Sequence, residues 1–148
     1  MNVANQIEGG CRCGACRYTL AVDTMPPVYA CHCQHCQTWS GSAFTEQAMI
    51  RSDAITATGP IVEYAAERPS GGVSTQHVCS VCHTRLWNTN TVWPMMAVVR
   101  AGTLDAAETL SPLMHIWTKR KQPWLTIDPA VPSFPENAPP AAFMKLMA

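Results

Sequence analysis

The sequence predicts a mainly β protein of a single domain, and three observations support this prediction. The chain has 148 residues, which suits one domain with its own core but not two ordinary ones. Apolar residues make up 47% and charged residues 14%, a composition typical of globular rather than disordered chains. Short apolar runs are separated by Pro- and Gly-containing turn signals, and few segments keep a helical period for three turns.

Eight runs are predicted as short strands because they are apolar and bounded by turns. They are residues 18–22, 28–31, 43–50, 61–64, 73–78, 84–87, 95–99 and 114–117. Helix is predicted only as short turns, from after Cys33 through Gln37 and near residues 105–110. We expect one domain over residues 1–148, with a Pro-rich extended segment from about residue 122. The last stretch, 141–148, is compatible with a helical turn, a partner contact or disorder.

The charge balance argues against nucleic-acid binding, because ten basic residues match ten acidic ones. The triplet Lys119-Arg120-Lys121 is too short to change this and is expected to be a solvated turn. The apolar runs are far below the roughly 20 residues that span a bilayer, so no membrane association is expected. The first ten residues lack the pattern of a targeting segment, which predicts a cytoplasmic protein with reduced thiols.

The eight cysteines fall mainly into three tight clusters, and this spacing favours metal binding. A secreted disulfide framework is the alternative, but a disulfide within a C-x-C pair is strained. The knuckle Cys79-x-x-Cys82 aims two sulfurs at one point and needs a partner pair, for which Cys11-x-Cys13 is the candidate. Together these four residues are predicted to hold a structural zinc.

A second site is predicted from Cys31, Cys33 and Cys36, which can place three sulfurs around one metal. Three protein ligands with one open position are typical of a catalytic zinc. The alternative is a closed site in which Cys16 or a histidine supplies the fourth ligand. The candidate histidines are His32, His35, His77 and His83. The other interpretation of Cys16 is a small buried apolar residue, the usual role of a free cysteine.

The cysteine motifs resemble those of the glutathione-dependent formaldehyde-activating enzyme family, also named for centromere protein V. The resemblance rests on Gly10-Cys11-Arg12-Cys13-Gly14-Ala15-Cys16, Cys31-His32-Cys33-Gln34-His35-Cys36 with Ser40-Gly41, Cys79-Ser80-Val81-Cys82, and the closing His115-Ile116-Trp117 and Pro123-Trp124. It implies small packed β-sheets like those of Mss4-like zinc domains, and two zinc ions per chain. It also implies the same division into a structural and an open site.

Three positions depart from the family pattern, and none of them removes a zinc ligand. Gln37 stands where an arginine is common, which weakens any carboxylate clamp there. His83 stands where glycine usually follows the knuckle, which predicts a different turn. Cys16 replaces an aliphatic residue, which favours its buried role.

The function implied is that of a zinc-dependent carbon–sulfur lyase acting on a thiol–aldehyde adduct such as S-hydroxymethylglutathione. Cys31, Cys33 and Cys36 would form the catalytic zinc site, and Trp39, Ser40 and Gly41 the pocket wall. His115 is a candidate proton shuttle, although a lone histidine is commonly structural. A noncatalytic zinc module that binds a small thiol or a protein partner is the alternative. The oligomeric state is left undecided by the sequence.

Overall fold

The computed structural model describes residues 6–147 and contains two β-sheets and two short helices there. The strands are β1 (Ile7–Gly10), β2 (Arg17–Leu20), β3 (Val28–Cys31), β4 (Thr45–Arg51), β5 (Ile55–Thr58), β6 (Ile61–Glu67), β7 (Val73–Cys79), β8 (Arg85–Asn90), β9 (Met96–Arg100) and β10 (His115–Ile116). The helices are α1 (Gln34–Ser40) and α2 (Pro140–Met147). No helix within 6–147 is long and apolar enough to cross a membrane.

The strands form a small and a large sheet. The small sheet has the order β1-β2-β5, and the large sheet has the order β10-β3-β4-β9-β8-β7-β6. All pairs are antiparallel except β10 with β3. Antiparallel pairing requires only short connections, which suits a chain of short strands.

The first core lies between the two sheets. Alternate residues of each strand point inward, as the two-residue period of a strand requires. Tyr18 and Leu20 of β2 meet Ala48 of β4 and Val99 of β9, and all four are buried. Burial of such apolar side chains contributes about 25 cal/mol per Å² and holds the sheets together.

The second core covers the opposite face of the large sheet. Tyr29, Met49 and Ile116 are buried there. The chain after β10 crosses this face and ends in α2, whose Phe143 packs edge-on against Tyr29 with ring centroids 5.3 Å apart. The C-terminal stretch that the sequence left open is therefore a helix over residues 140–147.

The eight predicted strands are all present, with shifted ends and one much shortened. The eighth, which was predicted over residues 114–117, is reduced to His115–Ile116. Two further strands, β1 and β5, were not predicted, because each has only four residues and no continuous apolar run. The predicted turn of helix after Cys33 is confirmed as α1, while the helix near 105–110 is only a 3-10 turn at Ala107–Thr109.

A β-bulge between β7 and β8 positions one charged side chain. Gln76 pairs with Asn88 and Val78 pairs with Arg85, so Leu86 is left without a partner. The extra residue reverses the alternation, and Arg85 therefore shares a face with Asn88 although they are three positions apart. Leu86 is buried in the first core instead.

Candidate metal centres

Four cysteines from two sheets meet at the first cluster. Cys11 and Cys13 lie in the loop between β1 and β2, and Cys79 and Cys82 lie at the turn between β7 and β8. Their sulfurs are all within 4.8 Å of one another, with 3.5 Å between Cys11 and Cys13 and 3.9 Å between Cys13 and Cys79. A tetrahedral zinc with Zn–S bonds near 2.3 Å needs sulfurs about 3.8 Å apart. The donor set and its spacing therefore fit a metal ion.

Hydrogen-bond donors surround these sulfurs. The backbone N–H of Cys16 donates to Cys11 Sγ at 3.2 Å, and that of Val81 donates to Cys79 Sγ at 3.4 Å. The Thr84 hydroxyl lies 3.1 Å from Cys82 Sγ and lowers the pKa of Cys82 to about 5. Such donors favour thiolates, the form in which cysteine binds a metal.

The turn after the knuckle keeps a tight backbone despite its histidine. His83 has a φ of 64°, the left-handed conformation that glycine adopts most readily. Its N–H donates to the carbonyl of Cys79 at 2.9 Å, and the N–H of Cys79 donates to the carbonyl of Thr84 at 3.0 Å. Histidine thus occupies a conformation suited to glycine at this position.

Cys16 lies beside the first cluster and belongs to the first core. It is fully buried, and burial raises the pKa of its thiol to about 12. Its sulfur is in neither group of cysteines that can hold a metal. Its placement fits a small apolar residue.

The second cluster is built by the junction of β3 and α1. Cys31 ends β3, Cys33 is the N-cap of α1, and Cys36 lies in its first turn. The three sulfurs lie within 4.8 Å of one another. Hydrogen bonds with the side chains of Cys31 and Cys36 lower the pKa of Cys33. The hydrogen bond between Cys31 and Cys33 in turn raises the pKa of Cys31. Three thiolates at this distance repel one another, so their joint ionisation needs a cation such as a metal ion.

No fourth ligand joins this second cluster among residues 6–147. No other cysteine, histidine, aspartate or glutamate there has a ligand atom within reach of all three sulfurs. His32, the residue between two of the cysteines, is fully buried and pairs with His115, with 2.9 Å between Nε2 and Nδ1. Burial lowers the pKa of His32 to about 4 and also lowers that of His115. Both rings are therefore neutral near pH 7, and a proton-shuttle role for His115 stays a prediction.

Two side chains from the large sheet contact Cys36. Gln47 Nε2 donates to Cys36 Sγ at 3.4 Å, and the Tyr29 hydroxyl fixes this amide by donating to Gln47 Oε1 at 2.8 Å. The Thr45 hydroxyl donates to the carbonyl of Cys36 at 3.1 Å. These contacts hold the sulfur and the backbone of Cys36 in place, as hydrogen-bond partners of metal ligands do.

The three residues predicted to form a pocket wall lie at the end of α1 but have different surroundings. Trp39 stacks on the guanidinium of Arg85, whose Cζ is 3.5 Å from the ring centroid. The Ser40 hydroxyl donates to the carbonyl of Gln37 in α1 and to that of Phe44 beyond the helix. Gly41, with a φ of 66°, closes the helix and lines an open groove of about 500 Å³ with Phe44 and Trp124.

The side-chain N–H groups of Gln37 are engaged by backbone carbonyls and are not available to a carboxylate. Its amide Nε2 donates to the carbonyls of His32 and Arg120, each at 2.8 Å. It therefore ties α1 to the segment after β10.

Sequence reasoning missed the polar network on the large sheet beside Cys36. It consists of two hydrogen-bonded groups, one of Tyr29 and Gln47 and the other of Gln76, Arg85, Asn88 and Arg100. Strand alternation alone places Arg85 and Asn88 on opposite faces, and only the bulge at Leu86 brings them together. The sequence therefore carried no signal for this group.

The two sheets and the two cysteine clusters define a small, mainly β domain of the metal-binding class. Residues 6–120 match the family described as glutathione-dependent formaldehyde-activating enzyme, and the chain belongs to that family. The family resemblance and the fold of small packed β-sheets predicted from the motifs are thus confirmed.

Two individual proteins are similar to this chain. A protein of Halomonas elongata, named provisionally as a glutathione-dependent formaldehyde-activating enzyme, is 24% identical over 127 residues, which cover 82% of this chain and 81% of the relative. The crystal structure of a Rhodobacter sphaeroides protein has a TM-score of 0.53 and 13% identity, covering 86% of this chain and 98% of that chain. At this identity the second likeness concerns the fold alone.

Proposed function

We propose that the protein is a zinc-dependent carbon–sulfur lyase that acts on a thiol–aldehyde adduct at Cys31, Cys33 and Cys36. The observation that carries the proposal is the second cluster itself: three convergent sulfurs and, within 6–147, no fourth protein ligand. Three protein ligands with one position left for water or substrate are typical of catalytic zinc, whereas structural sites are closed by four. The family and its relative, both named for glutathione and formaldehyde, support this substrate class.

The residues of the site have separate tasks in this proposal. A zinc ion held by the three sulfurs would supply a Lewis acid and favour the thiolate form of a thiol. Cys36 is held in place by Gln47, which Tyr29 orients in turn. Cys33 is held by the backbone N–H of Cys36, which donates to its sulfur at 3.4 Å. The site is thus preorganised on the rigid junction of a strand and a helix.

The reaction needs no oxidant or reductant. In the cleavage direction, the carbon–sulfur bond of the hydroxymethyl adduct breaks, its hydroxyl proton is transferred and ends on the sulfur, and formaldehyde is released with the free thiol. In the other direction, the thiolate attacks the aldehyde carbon and the oxygen takes the proton. Glutathione is the proposed thiol and S-hydroxymethylglutathione the proposed adduct.

The test combines zinc content with the rate of exchange. We expect about two zinc ions per purified chain and about one in Cys33→Ser, because one cluster loses a ligand. The rate is measured by NMR exchange spectroscopy on glutathione and formaldehyde at equilibrium. We expect the protein to raise this rate above that of buffer, and the increase to be lost in Cys33→Ser.

Cys16→Ala is the matched control, since this cysteine lies in neither cluster. It is expected to keep both zinc ions and the rate. Two zinc ions with an exchange rate equal to that of buffer would contradict the lyase and favour a noncatalytic zinc module. One zinc ion, unchanged in Cys33→Ser, would remove the second site from the proposal.

A further inference from the structure

Two arginines lie on the sheet face beside the second cluster. Arg100 of β9 is the neighbour of Gln47 in the strand register, and Gln47 contacts Cys36. Arg85 of β8 reaches α1 itself, because its guanidinium stacks on Trp39, one helical turn beyond Cys36. Both cations therefore flank the residues that would hold the metal.

The two guanidinium groups converge on one neutral oxygen. Arg85 donates to Gln76 Oε1 at 2.9 Å, and Arg100 donates to the same oxygen at 3.4 Å and to Asn88 Oδ1 at 2.6 Å. Like charges this close repel each other, and neutral amides offset the repulsion only weakly. The two guanidinium groups thus lie around one neutral oxygen, where a neighbouring anion would lower their mutual repulsion.

No carboxylate balances these charges within residues 6–147. The ion pairs there use other cations, namely those of Arg17, Arg51, His77 and Lys119. The Nε of Arg100 is buried and has no hydrogen-bond partner among the described residues. Unpaired charged donors of this kind are rare in protein interiors, because desolvation without a partner is costly.

Burial affects both arginines in the same direction. It lowers the pKa of Arg85 to about 9, with the charge of Arg100 adding to the effect, and it also lowers the pKa of Arg100. A thiolate at Cys36 opposes both shifts, which shows that both guanidinium groups lie within electrostatic range of the cluster. A bound anion would relieve the same cost.

The net negative charge of a metal ion with its three thiolates is smaller than the positive charge of the two arginines. Three thiolates with one divalent metal ion carry a net charge of minus one, and the two arginines carry plus two. One positive charge is left while the sulfur of the substrate is neutral, as in the hydroxymethyl adduct, and it matches one carboxylate. Stacking on Trp39 uses the flat face of the Arg85 guanidinium, and its Nε and Nη2 donate to Gln76 Oε1, so Nη1 is the group that remains for an incoming carboxylate.

Building on the function proposed above, we propose that Arg85 and Arg100 form an anion subsite that binds a carboxylate of the thiol whose sulfur reacts at Cys31, Cys33 and Cys36. The substrate class is then acidic thiols, such as glutathione or a mercapto acid, rather than neutral thiols. Trp39 holds Arg85 in position through the stacked ring. The Trp39 side chain is 44% exposed, so the side of the subsite that it forms is open to solvent.

The test compares an acidic thiol with a neutral one of the same length. Binding of 3-mercaptopropionate and 3-mercapto-1-propanol to the zinc-loaded full chain is measured by isothermal titration calorimetry. We expect the acid to bind at least about tenfold more tightly, and this ratio to fall close to one in Arg85→Gln. Arg85→Lys should restore part of the ratio, because it returns the charge but not the planar fork.

Arg51→Gln is the matched control, because it removes the same charge from an exposed pair with Asp53. It should leave the ratio unchanged. A ratio near one in the unaltered protein, or a ratio that persists in Arg85→Gln, would overturn the subsite. A loss of affinity in Arg85→Gln that is equal for both thiols would also overturn it, since the arginine would then act only on the thiolates.

Failure of the proposed function has a different signature. In that case neither thiol would bind the zinc-loaded protein more tightly than it binds Cys33→Ser. Failure of the subsite alone leaves the neutral thiol bound in a Cys33-dependent way. The two failures are therefore distinguishable in one set of titrations.

Discussion

Gly59 and His83 both hold a positive φ beside the first cluster, and they do so for different reasons. His83 needs the conformation to complete the turn after Cys82. Gly59 needs it because the backbone of the neighbouring loop is too close for any side chain. A Cβ at Gly59 would lie 2.1 Å from the carbonyl oxygen of Ala15 and 2.8 Å from Cα of Cys16. That loop carries Cys11 and Cys13, so the glycine helps to fix two metal ligands.

At this scale we predict that Gly59→Ala lowers the free energy of unfolding by about 3 kcal/mol, from left-handed strain together with the backbone clash. Urea denaturation of the zinc-loaded protein measures the loss. Gly71→Ala is the control, since Gly71 has a similar φ of 102° but no atom within 4 Å of the added Cβ. It should lose only about 1–2 kcal/mol. Equal losses in the two variants would show that the clash contributes nothing.

Among the elements, the C-terminal helix α2 depends on the rest of the chain for its stability. It has eight residues, too few for a stable isolated helix in water. Its Phe143 contacts Tyr29 and, at 6.5 Å between centroids, Trp93. The segment before it is tied to β10, because Phe134 donates its N–H to the carbonyl of His115 at 2.9 Å. Tertiary contacts therefore hold this helix in place.

We predict that Phe143→Ala lowers the free energy of unfolding by about 2 kcal/mol, because a half-buried aromatic ring loses its contacts. Met144→Ala is the control from the same helix, since the Met144 side chain is 67% exposed. Its loss should be below about 0.5 kcal/mol. Both values come from urea denaturation curves. A similar small effect for the two variants would mean that α2 contributes little to the second core.

Across the whole molecule, the first cluster joins the small sheet to the large one. Cys11 and Cys13 lie next to β1 and β2, while Cys79 and Cys82 lie at the ends of β7 and β8. A metal ion there would link segments far apart in the chain and add to the packing of the first core. The second cluster, in contrast, lies within one local stretch from Cys31 to Cys36.

This difference predicts unequal effects of losing each metal. Cys82→Ser should lower the free energy of unfolding by more than about 3 kcal/mol, since a structural zinc contributes on the order of 10 kcal/mol to folding. Cys33→Ser should cost much less and keep a cooperative transition. Thermal and urea unfolding with matched zinc analysis measure both. An equal or larger loss in Cys33→Ser would contradict the division of roles.

The sequence by itself determined the elements whose causes are local. Turn residues and short apolar runs predicted eight strands, and the cysteine spacing predicted both groups of sulfurs that the fold brings together. The spacing was informative because a C-x-x-C turn aims two sulfurs at one point regardless of the remaining fold.

Only the tertiary structure decided which residues surround those sulfurs. The strands β1 and β5 depend on pairing with β2, and the meeting of Arg85 with Arg100 depends on a bulge in a register set across three strands. Likewise, Cys16 is placed in the first core by sheet packing and not by its spacing from Cys13. The physical reason is that these positions follow from long-range pairing and burial, whose energies depend on residues distant in the chain.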